Sequence, residues 1–140
     1  MRQVYFVIDS EPCGKGRPRF TKNGHCYTPG KTTDYEQLVV DSYRAAGHAR
    51  HLPHDYAVGA NIRAVYAMPK KRDPKIHIAG APCFKLPDGD NVEKIIFDSL
   101  NKIAYLDDRQ ITAQSVSREW GEDGFVSVTF TFFGWHFNVV

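Results

Sequence analysis

Residues 88–103 read DGDNVEKIIFDSLNKI, and their apolar side chains recur at the spacing of an α-helix. From Val92 they occupy positions i, i+3, i+4, i+8 and i+11, with Ser99 at i+7, and these positions share one face of a helix. The spacing therefore predicts a helix with one buried stripe. Its first turn has Asp90 as the expected N-cap, with Glu93 three positions later as in a capping box. The stripe consists of Val92, Ile95, Ile96, Ser99, Leu100 and Ile103.

The hydrophobic pattern on both sides of this helix predicts four strands and one further helix. Alternating or continuous apolar residues predict strands near 2–9, 57–68, 110–118 and 125–133. A second capping-box pattern predicts a helix from Thr33 to about Gly47. The pair Asn23-Gly24 suits a type I′ turn and predicts a short hairpin before that helix. The order β-α-β-α-β-β predicts an α+β fold, a small mixed β-sheet with two helices packed on it.

The length of 140 residues predicts one domain that spans residues 1–140. The sequence is 42% hydrophobic and 24% charged, as is typical of a soluble globular domain. No run approaches the roughly 18 apolar residues of a membrane helix, and no secretory signal pattern follows Met1. Cys13, Cys26 and Cys83 form no C-x-x-C pair. A disulfide framework is therefore not expected, and a reducing cytoplasm is the predicted location.

Charge is distributed unevenly along the chain. Residues 1–85 hold 14 lysines and arginines against 7 acidic residues, whereas residues 86–124 hold 4 against 9. A basic part beside an acidic segment indicates a polyanionic ligand held near a cation site. Two ordinary solvated faces would produce the same distribution. Much of the positive charge lies in a long loop, residues 69–87, which is expected to be mobile.

Acidic residues cluster at both ends of the predicted second helix. Asp88 and Asp90 are two positions apart in extended chain, so both carboxylates can point the same way. A strand that returns beside the preceding strand would bring Asp108 close to Asp90, and Lys94 lies one turn into the helix. Oxygen ligands of this kind suit Mg²⁺, which can activate water and neutralise charge at a phosphoryl centre.

The same residues also have a purely structural interpretation. In this interpretation Asp90 is simply a helix cap, Asp88 is a turn residue, and Lys94 and Asp98 form an i,i+4 ion pair. An EF-hand is excluded, because Glu93 occupies the loop position that requires glycine. A polar stripe opposite the isoleucines consists of Asn91, Lys94, Asp98 and Asn101.

Three short motifs follow one another in this region. They are D-x-D-N-x-x-K over residues 88–94, D-x-L-N over residues 98–101 and D-D-x-Q-I over residues 107–111. In this order and at these spacings they resemble the signature of RusA-type Holliday-junction resolvases, and the ordered match covers residues 85–111. The resemblance extends loosely to Arg17-Pro18-Arg19-Phe20 and to the strand before the basic loop.

The resemblance implies a RusA-like fold and a homodimeric, Mg²⁺-dependent endonuclease that nicks two opposed strands of a four-way DNA junction. Mn²⁺ is expected to substitute for Mg²⁺. Metal ligands and catalytic acids fall on Asp88, Asp90 and Asp108, and the catalytic lysine falls on Lys94. Such enzymes act in DNA recombination and repair and are often encoded by phages or prophages. Motif positions with supporting roles are Asn91, Asp98 and Asp107.

The chain departs from the best-known members of that family at two places. Its basic loop is longer, and Gly89 stands where an apolar residue is usual. Two alternatives stay open. One is a less selective nuclease that cuts branched or single-stranded DNA, and the other is a non-catalytic DNA-binding module. No Walker or G-x-G-x-x-G loop is present, so no nucleotide cofactor is expected.

Basic residues fit a track for the phosphates of such a DNA substrate. Binding through phosphates releases counterions, so affinity is expected to fall as salt rises. Taken alone, the run Lys70-Lys71-Arg72 is more often a solvated loop. The residues predicted to contact DNA are Lys15, Arg17, Arg19, Lys22, Lys70, Lys71, Arg72, Lys75 and Lys85.

Two further segments have less specific interpretations. Residues 125–140 carry no charged side chain. Core packing is the expected role of this segment, which ends in Phe133, Trp135 and Phe137, with a dimer interface as the alternative. Three histidines near the end of the first helix lack an evident fourth ligand, and a proline interrupts them, so no zinc site is expected. They are His48, His51 and His54.

Overall fold

The computed structural model describes residues 2–15, 19–24, 26–27, 30–47 and 56–134. Along these residues the strands are β1 (Arg2–Ile8), β2 (Arg19–Phe20), β3 (Cys26–Tyr27), β4 (Tyr56–Ala67), β5 (Ile111–Gly121) and β6 (Phe125–Gly134). The helices are α1 (Gly30–Ala45), α2 (Gly89–Ser99) and a short 3₁₀ helix (Asp108–Gln110). No helix in these ranges combines the length and apolar character that crossing a membrane requires.

The main sheet of the described chain has four strands in the order β1-β6-β4-β5. β4 lies inside the sheet, antiparallel to β6 and parallel to β5. Parallel neighbours need a long crossover connection, and α2 lies within the crossover between β4 and β5. The two edge strands are β5, which pairs with β4, and β1, which pairs with β6. The predicted α+β fold, a mixed sheet with two helices, is confirmed.

One face of the sheet packs against both helices and forms the core. The predicted apolar stripe of α2 is buried from Val92 to Leu100. The even-numbered residues of β6 from Val126 to Phe132 face the same core, which confirms core packing for that part of the charge-free segment. Phe133 instead lies half-buried on the opposite face. Trp135 and Phe137 lie outside the described residues.

Both helices begin earlier than the sequence predicts. The N-cap of α2 is Asp88 rather than Asp90, and its side chain accepts a hydrogen bond from the Asn91 backbone N–H at 3.0 Å. Asp90 therefore lies inside the first turn of α2. α1 begins at Gly30, so the capping box predicted at Thr33 is wrong. Thr32 is 3% exposed, and packing of this first turn explains why the helix extends beyond the local cap signal.

The predicted hairpin forms, but its turn is not type I′. β2 and β3 pair antiparallel, with Phe20 opposite Cys26. Gly24 has φ +81°, whereas Asn23 does not have a positive φ. The Gly24 N–H donates to the Thr21 carbonyl at 3.0 Å. A type I′ turn suits a two-residue connection, and the connection here is longer.

The basic loop between β4 and α2 runs along the free edge of β5. The Gly80 N–H donates to the Trp120 carbonyl at 2.8 Å, and the Trp120 N–H donates to the Ala81 carbonyl at 2.9 Å. The Tyr66 hydroxyl, on β4, donates to the Pro87 carbonyl at 2.5 Å. These bonds hold the second half of the loop against the sheet and lead the chain into α2. The mobility expected for residues 69–87 stays a prediction.

Candidate active site

A pocket of about 320 Å³ lies between α2 and the segment that enters β5. Asp90, Glu93 and Lys94 share one face of α2, because residues three and four positions apart are neighbours on a helix. Asp108 comes from the 3₁₀ helix and Gln114 from β5. The structure therefore brings three of the four predicted catalytic side chains to one pocket. Its lining residues are Asp90, Glu93, Lys94, Phe97, Asp98, Asp108 and Gln114.

The 3₁₀ helix that carries Asp108 is fixed by a capping box. The Asp107 carboxylate accepts from the Arg109 N–H at 2.8 Å, and the Gln110 side chain accepts from the Asp107 N–H at 3.1 Å. Gln110 also donates to the Tyr56 carbonyl at the start of β4, at 2.8 Å. The hydrogen bonds from Arg109 lower the pKa of Asp107. The motif D-D-x-Q-I thus builds the turn that presents Asp108 to the pocket.

The Asp108 carboxyl group lies in an environment that disfavours its charge. Burial is the largest cause of its raised pKa, and the nearby carboxylates of Asp98 and Asp107 raise it further. Lys94 acts in the opposite direction, but its effect is smaller. Without a cation in the pocket, Asp108 therefore binds a proton more readily than an ordinary aspartate does.

Asp98 has a different electrostatic setting from the other acids of the pocket. Its Oδ2 lies 3.6 Å from Lys94 Nζ, as the predicted i,i+4 pair requires, and also 3.6 Å from Lys15 Nζ. Lys15 in turn pairs with Glu36 of α1 at 3.1 Å. Asp98 thus belongs to an ion-pair network that joins the N-terminal segment, α1 and α2.

Asp88, the remaining predicted ligand, is not part of the pocket lining. Its Oδ1 caps α2, the role that the structural interpretation assigned to Asp90 instead. Asn91 and Asn101 are exposed and also lie outside the lining. In the ranges that the structure describes, no three side chains of His, Cys, Asp or Glu converge as a ready-made metal-binding group.

Glu93 belongs to the pocket although its sequence position did not suggest a role in the site. The side chain is 6% exposed, and its Oε2 has no hydrogen-bond partner. Burial is the main cause of its raised pKa, with the Asp90 carboxylate as the second cause. In the sequence, Glu93 looked like the capping partner of Asp90. Only the fold shows that it lies on the buried side of α2.

The basic residues of the predicted DNA track differ in their surroundings: some form ion pairs, and others are exposed to solvent. Arg72 forms an ion pair with Glu122 at 2.9 Å, and Lys85 lies 3.8 Å from Glu11. Arg17 and the side chain of Arg19 lie outside the described residues. Exposed members of the track include Lys22, Lys70, Lys71 and Lys75.

The remaining candidates from the sequence are cysteines and histidines. Cys13 and Cys83 are free thiols. The side chain of Cys26 lies outside the described residues, as do His48, His51 and His54.

The pocket fits a divalent cation by the chemistry of its donors. Carboxylate oxygens are the preferred ligands of Mg²⁺, and four acidic side chains line the pocket beside one lysine. The carboxylates of Asp98 and Asp107 raise the pKa of Asp108, and a bound cation would relieve this repulsion. The buried Glu93 Oε2 is a further acceptor without a partner.

The chain is similar to known proteins over most of its length. The chain is 29% identical over 137 residues to a protein of Bacillus subtilis (strain 168) named Uncharacterized protein YqaN. That alignment covers 89% of this chain and 93% of the relative. The family model described as Endodeoxyribonuclease RusA matches residues 9–131, which include every residue of the pocket lining. The chain therefore belongs to the RusA endodeoxyribonuclease family.

Proposed function

We propose that this chain is a Mg²⁺-dependent DNA endonuclease that resolves four-way junctions by paired symmetric nicks, in DNA recombination and repair. Membership of the RusA family supports the reaction class. The observation that carries the proposal is the meeting of Asp90, Lys94 and Asp108 at one pocket. Acids and a lysine from separate segments form the constellation that phosphodiester hydrolysis needs.

Three of the five aspartates in the motifs, Asp88, Asp90 and Asp108, would hold the cation. Asp90 and Asp108 contribute from the pocket wall. Asp88 uses Oδ1 to cap α2 and would offer its second oxygen. A bound Mg²⁺ supplies Lewis-acid stabilisation and lowers the pKa of water. Mn²⁺ prefers similar oxygen ligands and would replace it.

Lys94 would stabilise the negative charge that develops on the phosphoryl group during cleavage. Its side chain is 60% exposed, so the ammonium group remains open to a phosphate. Asp98 orients it from one helical turn away, at 3.6 Å. An ammonium held near a reacting phosphate stabilises the transition state more than the ground state.

A DNA substrate would follow the basic residues of the loop and of the N-terminal segment. Exposed lysines such as Lys70, Lys71 and Lys75 would contact phosphates. Such contacts fix the position of the duplex arms without reading their sequence. Recognition of a junction would therefore depend on its shape.

Two symmetric cuts require two active sites, which a homodimer with two-fold symmetry supplies. The sheet face opposite the helices is a suitable surface for the second copy. It carries exposed apolar residues, with Tyr5 58% and Val7 41% exposed. Phe125 and Phe133 lie half-buried on the same face.

Cleavage of a matched set of labelled DNAs tests this proposal. The set contains a four-way junction, a replication fork, a linear duplex and a single strand, each with Mg²⁺, Mn²⁺ or EDTA. We expect paired, symmetric nicks in the junction alone, and none in EDTA. Equal cutting of all four substrates would support the less selective nuclease. Binding without cleavage in either cation would support the DNA-binding module.

A further inference from the structure

Glu93 is an acidic side chain buried at a cost that the structure does not offset. It is 6% exposed, and its Oε2 is one of two buried side-chain atoms in the described residues that lack a hydrogen-bond partner. Buried polar groups are nearly always paired, and an unpaired one destabilises the fold. A leucine at this helical position would avoid that cost, and a glutamine would reduce it because a neutral amide costs less to bury than a carboxylate.

The positive charges of this region are directed elsewhere. Lys15 and Lys94 both lie 3.6 Å from Asp98. No ion pair joins Glu93 to a described lysine or arginine. After burial, the second cause that raises the pKa of Glu93 is the like charge of Asp90, one turn before it on α2. Glu93 therefore lines an acidic pocket with one buried oxygen that has no hydrogen-bond partner, and no described lysine or arginine forms an ion pair with it.

We propose that Glu93 supplies a further carboxylate ligand, together with Asp90 and Asp108, for the divalent cation of this pocket. The inference rests on the proposed function for its choice of Mg²⁺ as the cation. The three side chains line one pocket without converging on a common point. Binding would draw them together and give the Glu93 oxygen the partner that it lacks. Asp90 and Glu93 are three positions apart on α2, a spacing that lets both reach one ion.

Cation binding without DNA tests this inference independently of nuclease activity. The full-length protein would be titrated with Mn²⁺ and with Mg²⁺ by calorimetry, and its thermal unfolding followed with and without the cation. Glu93→Gln keeps the shape of the side chain and removes its charge. We expect affinity to fall about tenfold or more, and the rise in Tm caused by the cation to be largely lost.

The matched control is Glu122→Gln. Glu122 is an exposed carboxylate paired with Arg72, so its replacement removes the same charge from a different surface. We expect this variant to bind the cation as the wild-type protein does. In EDTA, Glu93→Gln should unfold at the same temperature as the wild type or a higher one, because a neutral amide costs less to bury.

A second measurement uses the wild-type protein alone and decides the matter if Glu93→Gln fails to fold. The chain has five glutamates, so selective ¹³C labelling gives five carboxyl signals. We expect Mg²⁺ to shift the Glu93 signal and leave those of Glu119 and Glu122 in place. Unchanged affinity in Glu93→Gln, an unshifted Glu93 signal, or no cation binding by the wild type would each overturn the inference. Unchanged affinity in Glu93→Gln or an unshifted Glu93 signal would leave the proposed nuclease activity untouched. Conversely, if the protein binds the cation but cuts no DNA, the proposed function fails and Glu93 can still be a ligand.

Discussion

At the scale of single residues, the acids of the pocket region fall into two groups. Asp98 and Asp107 have partners that stabilise their charge, which are two lysines for Asp98 and the N–H groups of Arg109 for Asp107. Asp108 and Glu93 have raised pKa values, with burial as the main cause. Asp98 and Asp107 form contacts that hold the pocket together. The negative charges of Asp108 and Glu93 destabilise the fold unless a cation or a proton binds to them. Local destabilisation of this kind is typical of functional positions.

This division predicts opposite stability effects for two neighbouring aspartates. A raised folded pKa means that the contribution of Asp108 is most favourable at low pH and is lost as pH rises through that pKa. Asp108→Asn should therefore raise Tm in EDTA at pH 7. The gain should disappear near pH 3, below the ordinary pKa of aspartate. Thermal unfolding across this pH range measures both effects.

Asp107→Asn serves as the matched control, because its pKa is lowered rather than raised. Its contribution is present above the ordinary pKa of aspartate and is lost as pH falls through the lower folded value. This variant should lower Tm at pH 7. A lower Tm for both variants at pH 7 would show that Asp108 is stabilised by contacts rather than strained by burial.

At the scale of elements, α2 and β5 approach each other closely where the pocket begins. A Cβ at Gly89 would lie 2.9 Å from Cγ1 of Val116 on β5, closer than side chains normally pack. This contact accounts for a glycine where the family resemblance leads one to expect an apolar residue. The first turn of α2, which carries Asp90, can therefore pack this closely against β5 because Gly89 has no side chain.

A double-mutant cycle tests this contact. Gly89→Ala should destabilise the protein by about 1 kcal/mol, because overpacking costs more than the helix propensity of alanine returns. In a Val116→Ala background the same change should be neutral or stabilising. Chemical denaturation of the four proteins measures the coupling. Equal effects of Gly89→Ala in both backgrounds would contradict close packing between α2 and β5.

The elements themselves were largely predictable, because burial on one side leaves a period in the sequence. The four long strands lie within a few residues of their predicted ranges, and the stripe of α2 is buried as its spacing required. Helix starts were less predictable. Asp88 and Asp90 both have the chemistry of a cap, and only backbone geometry shows that Asp88 is the cap.

At the scale of the whole molecule, the site depends on contacts between residues far apart in the sequence. Lys15 reaches Asp98, and Gln110 reaches the Tyr56 carbonyl. Local patterns do not report such contacts, so the sequence motifs could predict that Asp90, Lys94 and Asp108 lie close together but not the ion pairs and hydrogen bonds around them. Burial of Glu93 was hidden for the same reason, since it depends on how α2 lies on the sheet.

The basic loop gives a prediction for DNA binding by the whole molecule. If Lys70, Lys71 and Arg72 each contact a phosphate, their joint replacement by alanine should reduce the salt slope of binding by up to about 3. Binding would be measured in EDTA over a series of salt concentrations. Arg44→Ala is the control, since Arg44 is exposed at the end of α1, outside the track. An unchanged slope and affinity in the triple variant would exclude the loop from the DNA contact.

The most direct test of the central claim is cleavage of a labelled four-way junction by Asp90→Asn in Mg²⁺. Asp41→Asn, an exposed aspartate on α1, is the matched control. The proposed site predicts that Asp90→Asn folds, binds the junction in EDTA as the wild type does, and makes no nicks, while Asp41→Asn cuts normally. Full cleavage by Asp90→Asn would contradict the assignment of this pocket as the active site.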